Sequence, residues 1–141
     1  MDGTLLRKDK TVSERTKKAI EDARKKGVTV VLATGRPIDG VTKYLEELDM
    51  YGENDYVLSY NGGLVLKTKN REAICKIGLT GEDLHYLYEI SKELGVNIHA
   101  FSETKGLITP KNSKYTEVEA NINNIKINIE DFNKLEKDHS I

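Results

Sequence analysis

The sequence has very little cysteine, no excess of charge of either sign and no long hydrophobic run. Cys75 is the single cysteine among 141 residues, which excludes an internal disulfide. No histidine lies near it in sequence, and the three histidines are scattered, so a local metal cluster is not indicated and we give His85, His99 and His139 no role. We interpret Cys75 as a half-buried strand residue.

The charge balance argues against a polyanionic partner. The 22 basic side chains are offset by 23 acidic ones, for a net charge of -1, whereas nucleic acids and anionic membranes are bound by concentrated basic surfaces. The run from Arg7 to Lys10 mixes both signs and indicates a solvated loop. We expect neither nucleic acid nor membrane as a partner, and the oligomeric state stays open.

No stretch of the chain is apolar over a length that could span a bilayer. The longest such run lies around Val28 to Ala33, which is far too short, and no charged-then-apolar leader precedes it. On these grounds we expect a cytoplasmic protein. The composition suits one ordinary globular domain or a piece of a larger one.

Helix and strand signals alternate in the first part of the chain. Ser13 and Gly27 are typical of the two ends of a helix, which we predict at residues 14–26. The apolar and β-branched run VTVVLA, residues 28–33, predicts a parallel strand covered on both faces.

A second helix and a second strand follow. One helical face predicts a helix over residues 40–48, and the apolar run 56–59 predicts a strand; the face consists of Val41, Tyr44, Leu45 and Leu48. This order of elements indicates an α/β fold.

The pattern changes beyond Gly63. Residues 64–66 and 73–77 flank a turn-prone segment and predict a hairpin that acts as a flap or linker. Thr80 with Asp83 resembles a capping box, which predicts a helix that ends at Gly95.

The last part of the chain is less legible. Strands are predicted at residues 96–101 and 106–109. From Tyr115 onward, Ile125, Ile127 and Ile129 alternate like a strand among asparagines that favour turns. The change in composition near Thr80 predicts a domain boundary, with domains at residues 1–79 and 80–141.

Three short motifs follow one another: DGTLL at residues 2–6, LATGRP at the end of the first predicted strand, and SYNGG at the end of the second. Each is weak alone, because Asp-Gly and Asn-Gly are common turns and Thr-Gly can simply end a strand. In this order the motifs resemble those of the haloacid dehalogenase superfamily, and within it the Cof-type sugar phosphatases. The resemblance implies a partial Rossmann-like parallel-sheet core, followed by the beginning of an inserted α+β cap domain.

The resemblance assigns Asp2 a central role. In the family, an apolar strand ends in Asp, any residue, Asp, Gly and Thr, and Asp2 matches the second aspartate. It implies that Asp2 is the general acid/base and that its main-chain carbonyl helps to coordinate magnesium. The first aspartate, the nucleophile, would stand immediately before Met1, and the family's later lysine and Gly-Asp motif are not found. We therefore expect a chain that is incomplete at both ends.

The remaining motif residues receive phosphate- or substrate-related roles from the same resemblance. Gly3 would let the backbone approach the phosphate, and Thr34 with Gly35 would hold a phosphate oxygen. Arg36, Asn61 and Gly62 would lie near the substrate; for Arg36 a surface ion pair, and for Asn61-Gly62 an ordinary turn, remain alternatives.

The expected function is therefore that of a fragment of a magnesium-dependent phosphomonoester hydrolase, inactive alone, whose substrate is a small phosphorylated metabolite such as a sugar phosphate. The alternative is a non-catalytic module for phosphate binding or association. An unrelated α/β nucleotide binder is disfavoured, because no glycine-rich phosphate loop of the required spacing occurs.

Overall fold

The computed structural model describes all 141 residues, and the chain divides into two compact units, Met1–Ile77 and Gly78–Ile141. Each unit has its own sheet and its own cluster of buried apolar side chains. No helix in either unit combines the length and the apolar character that a membrane span needs.

The first unit consists of helices on a four-stranded sheet of order β1-β2-β3-β4, in which β1 and β2 are parallel and the later pairs are antiparallel. Its elements are α1 (Glu14–Lys25), β1 (Val31–Ala33), a 3₁₀ turn (Ile38–Gly40), α2 (Thr42–Glu47), β2 (Tyr56–Ser59), a second 3₁₀ turn (Tyr60–Gly62), β3 (Leu64–Lys67) and β4 (Ala73–Lys76). The predicted α/β order and hairpin are confirmed, and the hairpin extends the sheet of β1 and β2.

Local signals place the two helices. The Ser13 hydroxyl accepts a hydrogen bond from the Thr16 amide, as expected of an N-cap, and Gly27 follows α1 with φ +82°. The predicted face of the second helix is buried in the core, with Val41, Tyr44, Leu45 and Leu48 among its members. The apolar periodicity therefore correctly predicted which face of this helix packs into the core.

The prediction of a β1 strand covered on both faces is wrong. The strand spans only Val31–Ala33, its central Leu32 is buried, and both flanking side chains are exposed. The side chains on one face of β1 are exposed because the strand lies at the edge of the sheet, where it pairs with β2 alone. In addition, no residue of α1 is buried.

Cys75 lies in β4, the strand at the opposite edge of the sheet, and is exposed. The prediction that it is half-buried is therefore wrong.

An ion pair fixes the end of α1 to the loop before β2. Arg24 Nη2 lies 2.5 Å from Asp55 Oδ2, and Arg24 Nη1 donates to the carbonyls of Leu48 and Asp49 at 3.1 and 2.7 Å. The Gly52 amide donates to the same Asp55 oxygen at 2.8 Å. Because the Asp55 side chain is only 9% exposed, these partners offset the cost of removing a carboxylate from water.

The second unit has a three-stranded sheet of order β5-β6-β7, in which the first pair is antiparallel and the second parallel. Its elements are α3 (Gly81–Leu94), β5 (Ala100–Ser102), β6 (Gly106–Thr109), α4 (Lys114–Asn123), β7 (Ile127–Ile129) and a 3₁₀ turn (Phe132–Lys134). The reciprocal bonds of the capping box at Thr80 and Asp83 are present, and Gly95 has the predicted left-handed conformation.

Two parts of the second unit differ from the sequence prediction. The strand expected from residue 96 begins at Ala100. Helix α4 was not predicted, because its buried side carries Thr116, Ala120 and Asn123, which are small or polar. Ser113, whose side chain accepts from the Thr116 amide, was the signal that could have revealed it.

The exposed edge of β1 predicts that the chain associates with itself. Unpaired strand edges are templates for pairing, and a domain stability of about 5 to 15 kcal/mol leaves little margin for exposed apolar surface. We expect the isolated chain to elute as oligomers in size-exclusion chromatography, or to unfold without a sharp transition by circular dichroism. A longer polypeptide that includes flanking residues should unfold cooperatively.

A charged residue on β1 tests whether the unpaired edge of this strand causes the association. Val31→Lys should shift the chain toward monomer, whereas Val28→Lys, at an exposed position before the strand, should not. A monomeric wild-type chain whose transition is as sharp as that of the longer polypeptide would contradict the prediction.

The ion pair between Arg24 and Asp55 predicts a second outcome. Asp55→Ala leaves the Arg24 guanidinium without its carboxylate, so the free energy of unfolding should fall by about 3 kcal/mol. Urea denaturation at low micromolar concentration measures it. The control is Glu21→Ala, which removes an exposed pair with Lys25 on the same helix and should cost at most about 0.5 kcal/mol. Equal losses of unfolding free energy in the two variants would contradict the prediction that the buried pair stabilises the fold more than the exposed one.

Candidate active site

The loops that follow β1 and β2 are joined by backbone hydrogen bonds. The Thr34 amide donates to the Leu58 carbonyl at 3.0 Å, and the Asn61 amide donates to the Thr34 carbonyl at 3.1 Å. The Tyr60 amide donates to the Arg36 carbonyl at 3.1 Å. Because β1 and β2 run in parallel, both motif loops leave the sheet at the same edge, where ligands of such folds gather.

Gly35 and Asn61 are in close contact. A Cβ atom built on Gly35 would lie 2.8 Å from Asn61 Oδ1 and 3.3 Å from its Cγ. The Asn61 side chain therefore occupies the space that a side chain at position 35 would need. This contact joins the second and third sequence motifs at one place.

Asp2 reaches the same place through Arg36. The Arg36 guanidinium donates to both carboxylate oxygens, from Nε to Oδ2 at 3.0 Å and from Nη2 to Oδ1 at 2.8 Å. The Arg36 amide donates to the Thr34 hydroxyl at 3.2 Å. The terminal ammonium of Met1 donates to the Ala33 carbonyl at 3.3 Å. Asp2 and Thr34 therefore lie at the same end of β1, and Asp2 itself is in a turn and not at the end of a strand.

A second cation contacts Asp2. Lys10 Nζ lies 2.7 Å from Asp2 Oδ1. The two cations differ in environment, since the Arg36 side chain is 7% exposed and the Lys10 side chain is 51% exposed. Arg36 Nη1 is also 3.4 Å from the Gly40 carbonyl. Arg36 is thus a buried, fixed partner of Asp2, and Lys10 is a solvated one.

These contacts set the charge of Asp2. Hydrogen bonds from Arg36 and then from Lys10 hold the pKa of the Asp2 carboxyl well below its ordinary value, and partial burial opposes the shift. The same contact raises the pKa of Arg36 above its ordinary value. Asp2 is therefore a carboxylate over the whole physiological range of pH, which is the form that accepts a proton.

The two remaining predicted residues are glycines with left-handed backbones. Gly3 has φ +74° and Gly62 has φ +95°, and a Cβ atom on either would meet nothing within 4 Å. Backbone conformation, and not lack of space, therefore favours glycine at both positions. They follow Asp2 and Asn61, so all seven predicted site residues belong to the same group of loops.

Sequence reasoning missed two residues of this site. Lys10 was assigned to a solvated loop because its neighbours mix charges, and only the fold shows that it reaches Asp2. Tyr44 was predicted as core; it is 1% exposed, and its hydroxyl donates to the Lys10 carbonyl at 3.0 Å. No local motif signals either role.

The expected magnesium ion does not fit the side chains of this chain alone. No group of three or more His, Cys, Asp or Glu residues is arranged to hold a metal ion. Asp2 is the one carboxylate of the cluster, and both of its oxygens already accept bonds from cations. A magnesium site needs more oxygen ligands than these residues supply, so no step below is derived through a metal.

Residues 1–141 match the family model described as haloacid dehalogenase-like hydrolase. The Bacillus subtilis protein named "Putative phosphatase YxeH" is 39% identical over 140 residues, which are 98% of this chain and 52% of that protein.

Solved structures agree with this match. A haloacid dehalogenase-like hydrolase from Bacteroides thetaiotaomicron is 29% identical with a TM-score of 0.80, over 93% of this chain and 50% of its own. The HAD subclass IIB sugar phosphatase BT4131 shares the fold at 23% identity with a TM-score of 0.77, over 100% of this chain and 54% of its own. The chain thus spans about half the length of these relatives.

The pair between Asp2 and Arg36 predicts a pH-dependent stability. Because the folded-state pKa of Asp2 is lowered, the pair stabilises the fold above the unfolded pKa of about 4, and this stabilisation is lost as pH falls through the lower folded pKa. The difference in unfolding free energy between wild type and Arg36→Met should be largest near neutral pH and shrink below about pH 4. Urea titrations at stepped pH measure it.

Lys8→Met is the matched control, because Lys8 is an exposed cation in the Lys10 loop. Its effect should be small at every pH. A pH-independent loss in Arg36→Met would show that Arg36 acts by packing alone and would refute the prediction.

Proposed function

Because the chain belongs to the haloacid dehalogenase-like hydrolase family, we propose that it forms part of a magnesium-dependent phosphomonoester hydrolase of the Cof type. Its substrate would be a small phosphorylated metabolite such as a sugar phosphate. The observation that carries the proposal is the cluster of Asp2, Thr34, Gly35 and Asn61 at the carboxyl ends of β1 and β2. The phosphatase name of the 39% identical relative supports the reaction class.

The proposed phosphate position lies against the loop after β1. Thr34 would offer its hydroxyl to a phosphate oxygen, and Gly35 with Gly3 would allow the backbone to approach closely. Asn61 and Gly62 would border the substrate from the neighbouring loop. Parallel pairing of β1 and β2 supports this arrangement, since it brings both loops to one edge.

Asp2 is the proposed general acid/base. As the ionised carboxylate it can accept the proton of an attacking water. To protonate a leaving group it must first gain a proton, which contact with two cations disfavours. Loosening at least one of these contacts is therefore a requirement of the acid role.

Arg36 is better placed to hold Asp2 than to bind substrate. Its side chain is 7% exposed, and three of its nitrogens already donate to Asp2 and to the Gly40 carbonyl. We therefore assign the predicted substrate-proximal role to Asn61 and Gly62, and propose that Arg36 acts through Asp2.

The rest of the proposal concerns the longer protein. The nucleophilic aspartate would immediately precede Met1, magnesium would be held with the Asp2 main-chain carbonyl as one ligand, and further family motifs would follow a cap. Residues 1–79 would belong to the core and residues 80–141 to the beginning of the cap. The protein would be cytoplasmic, without nucleic-acid or membrane partners.

The proposal predicts a contrast in activity. The 141-residue chain, incubated with magnesium and a panel of phosphate monoesters, should show no appreciable turnover, because the groups of such a site act as a unit. A polypeptide extended on both sides to the length of its relatives should release phosphate. In it, Asp2→Asn should lower kcat by about 10² to 10⁴-fold.

Asp22→Asn, at an exposed position on α1, is the matched control and should leave kcat unchanged. Turnover by the short chain that Asp2→Ala abolishes would overturn the fragment proposal. An extended protein that binds phosphate esters but never hydrolyses them would instead favour the non-catalytic module.

A further inference from the structure

A buried hydroxyl connects the core to the loop that carries Lys10. Tyr44 lies in α2 within the core cluster, and a phenol buried there needs a hydrogen-bond partner. It finds one in the Lys10 carbonyl, at 3.0 Å. This side chain thus ties the loop to a fixed point in the core.

The Lys10 backbone is held in an uncommon conformation. Its φ of +64° lies in the left-handed region, which residues with a side chain adopt at an energetic cost. Its amide donates to the Arg7 carbonyl at 3.0 Å, and the Arg7 amide donates to the Thr11 carbonyl at 2.9 Å. The result is a tight turn from which the Lys10 side chain extends to Asp2, with Nζ 2.7 Å from Oδ1.

Lys10 depends on this turn more than Arg36 does. Arg36 holds Asp2 with two nitrogens, is itself bonded to the Gly40 carbonyl, and lies with its Cζ 5.7 Å from the centre of the Tyr44 ring. Lys10 makes one contact through a flexible stem that is half exposed. Whether its ammonium reaches Asp2 therefore depends on the backbone position that the Tyr44 hydroxyl holds.

We propose that Tyr44 is a positioning residue for Asp2: its hydroxyl fixes the Lys10 backbone, and that backbone directs the Lys10 ammonium onto the Asp2 carboxylate. The inference rests on the proposed function only in giving Asp2 an acid–base role. Tyr44 thereby helps to hold the Lys10 ammonium on the Asp2 carboxylate, although it makes no contact with the carboxylate itself.

Lysine acetylation tests this positioning without any assay of activity. The wild-type chain, Tyr44→Phe and Asp2→Asn are labelled with trace acetic anhydride at low micromolar concentration, and mass spectrometry follows each lysine. An amine in contact with a carboxylate must leave it to react, so Lys10 should label about two- to fivefold more slowly than Lys8, as for an exposed ion pair. Both substitutions should raise the Lys10 rate to that of Lys8.

Internal controls separate positioning from loss of the fold. Lys17 pairs with Glu14 at 2.6 Å and with Glu47, on the same helix as Tyr44, at 2.8 Å. These contacts do not involve the Tyr44 hydroxyl, so the Lys17 rate should not change while α2 stays folded. Tyr51→Phe removes a hydroxyl from a more exposed tyrosine and should leave the Lys10 rate as in wild type.

Two results would overturn the inference: a Lys10 rate equal to that of Lys8 in wild type, or a Lys10 rate that Asp2→Asn raises and Tyr44→Phe does not. If Tyr44→Phe also raises the Lys17 rate, the variant has lost its fold. The Lys10 rates of wild type and Tyr44→Phe are then compared in the extended polypeptide, and equal rates there would overturn the inference. None of these results bears on whether the extended protein hydrolyses phosphate esters, so the two proposals fail separately.

Discussion

The parallel pairing of β1 with β2 is the constraint on which the candidate site depends. Because both strands run in one direction, the loops that carry Thr34 and Asn61 leave the sheet side by side and bond to each other through their backbones. An antiparallel pairing would send the two loops to opposite edges. The contact of Arg36 with Asp2 also starts from this edge, because Arg36 follows Thr34 in the loop after β1.

A buried guanidinium then orders the start of the chain. A charge as buried as that of Arg36 is costly unless it is paired and hydrogen-bonded, and the Asp2 carboxylate supplies a bidentate partner. This pair, together with the packing of Leu6 in the core cluster, holds the first residues of the chain at the end of β1 without a helix or strand. The buried Arg36 side chain thus fixes the position of the Asp2 carboxylate.

The sequence predicted features that depend on a few consecutive residues, and it did not predict features that depend on which elements lie side by side in the fold. The capping box at Thr80, the stop at Gly95 and the buried face that includes Tyr44 are local patterns, and the structure has all of them. The exposure of Val31 depends on which strands lie beside β1, and the bond from Lys10 to Asp2 depends on a turn that charge patterning does not reveal. The structure brings the residues of the three motifs to one group of loops, and the arrangement of the cations around Asp2 depends on contacts that no local pattern encodes.

The contact between Gly35 and Asn61 also constrains how this sequence can diverge. Any Cβ at position 35 would lie within 2.8 Å of the Asn61 amide oxygen, so the two positions are not independent. A larger residue at 35 becomes acceptable only after the side chain at 61 has shortened or turned away, and the order of the two changes matters. Divergence at this edge of the sheet is therefore epistatic: a homologue with a larger residue at position 35 should also have a shorter or differently oriented side chain at position 61.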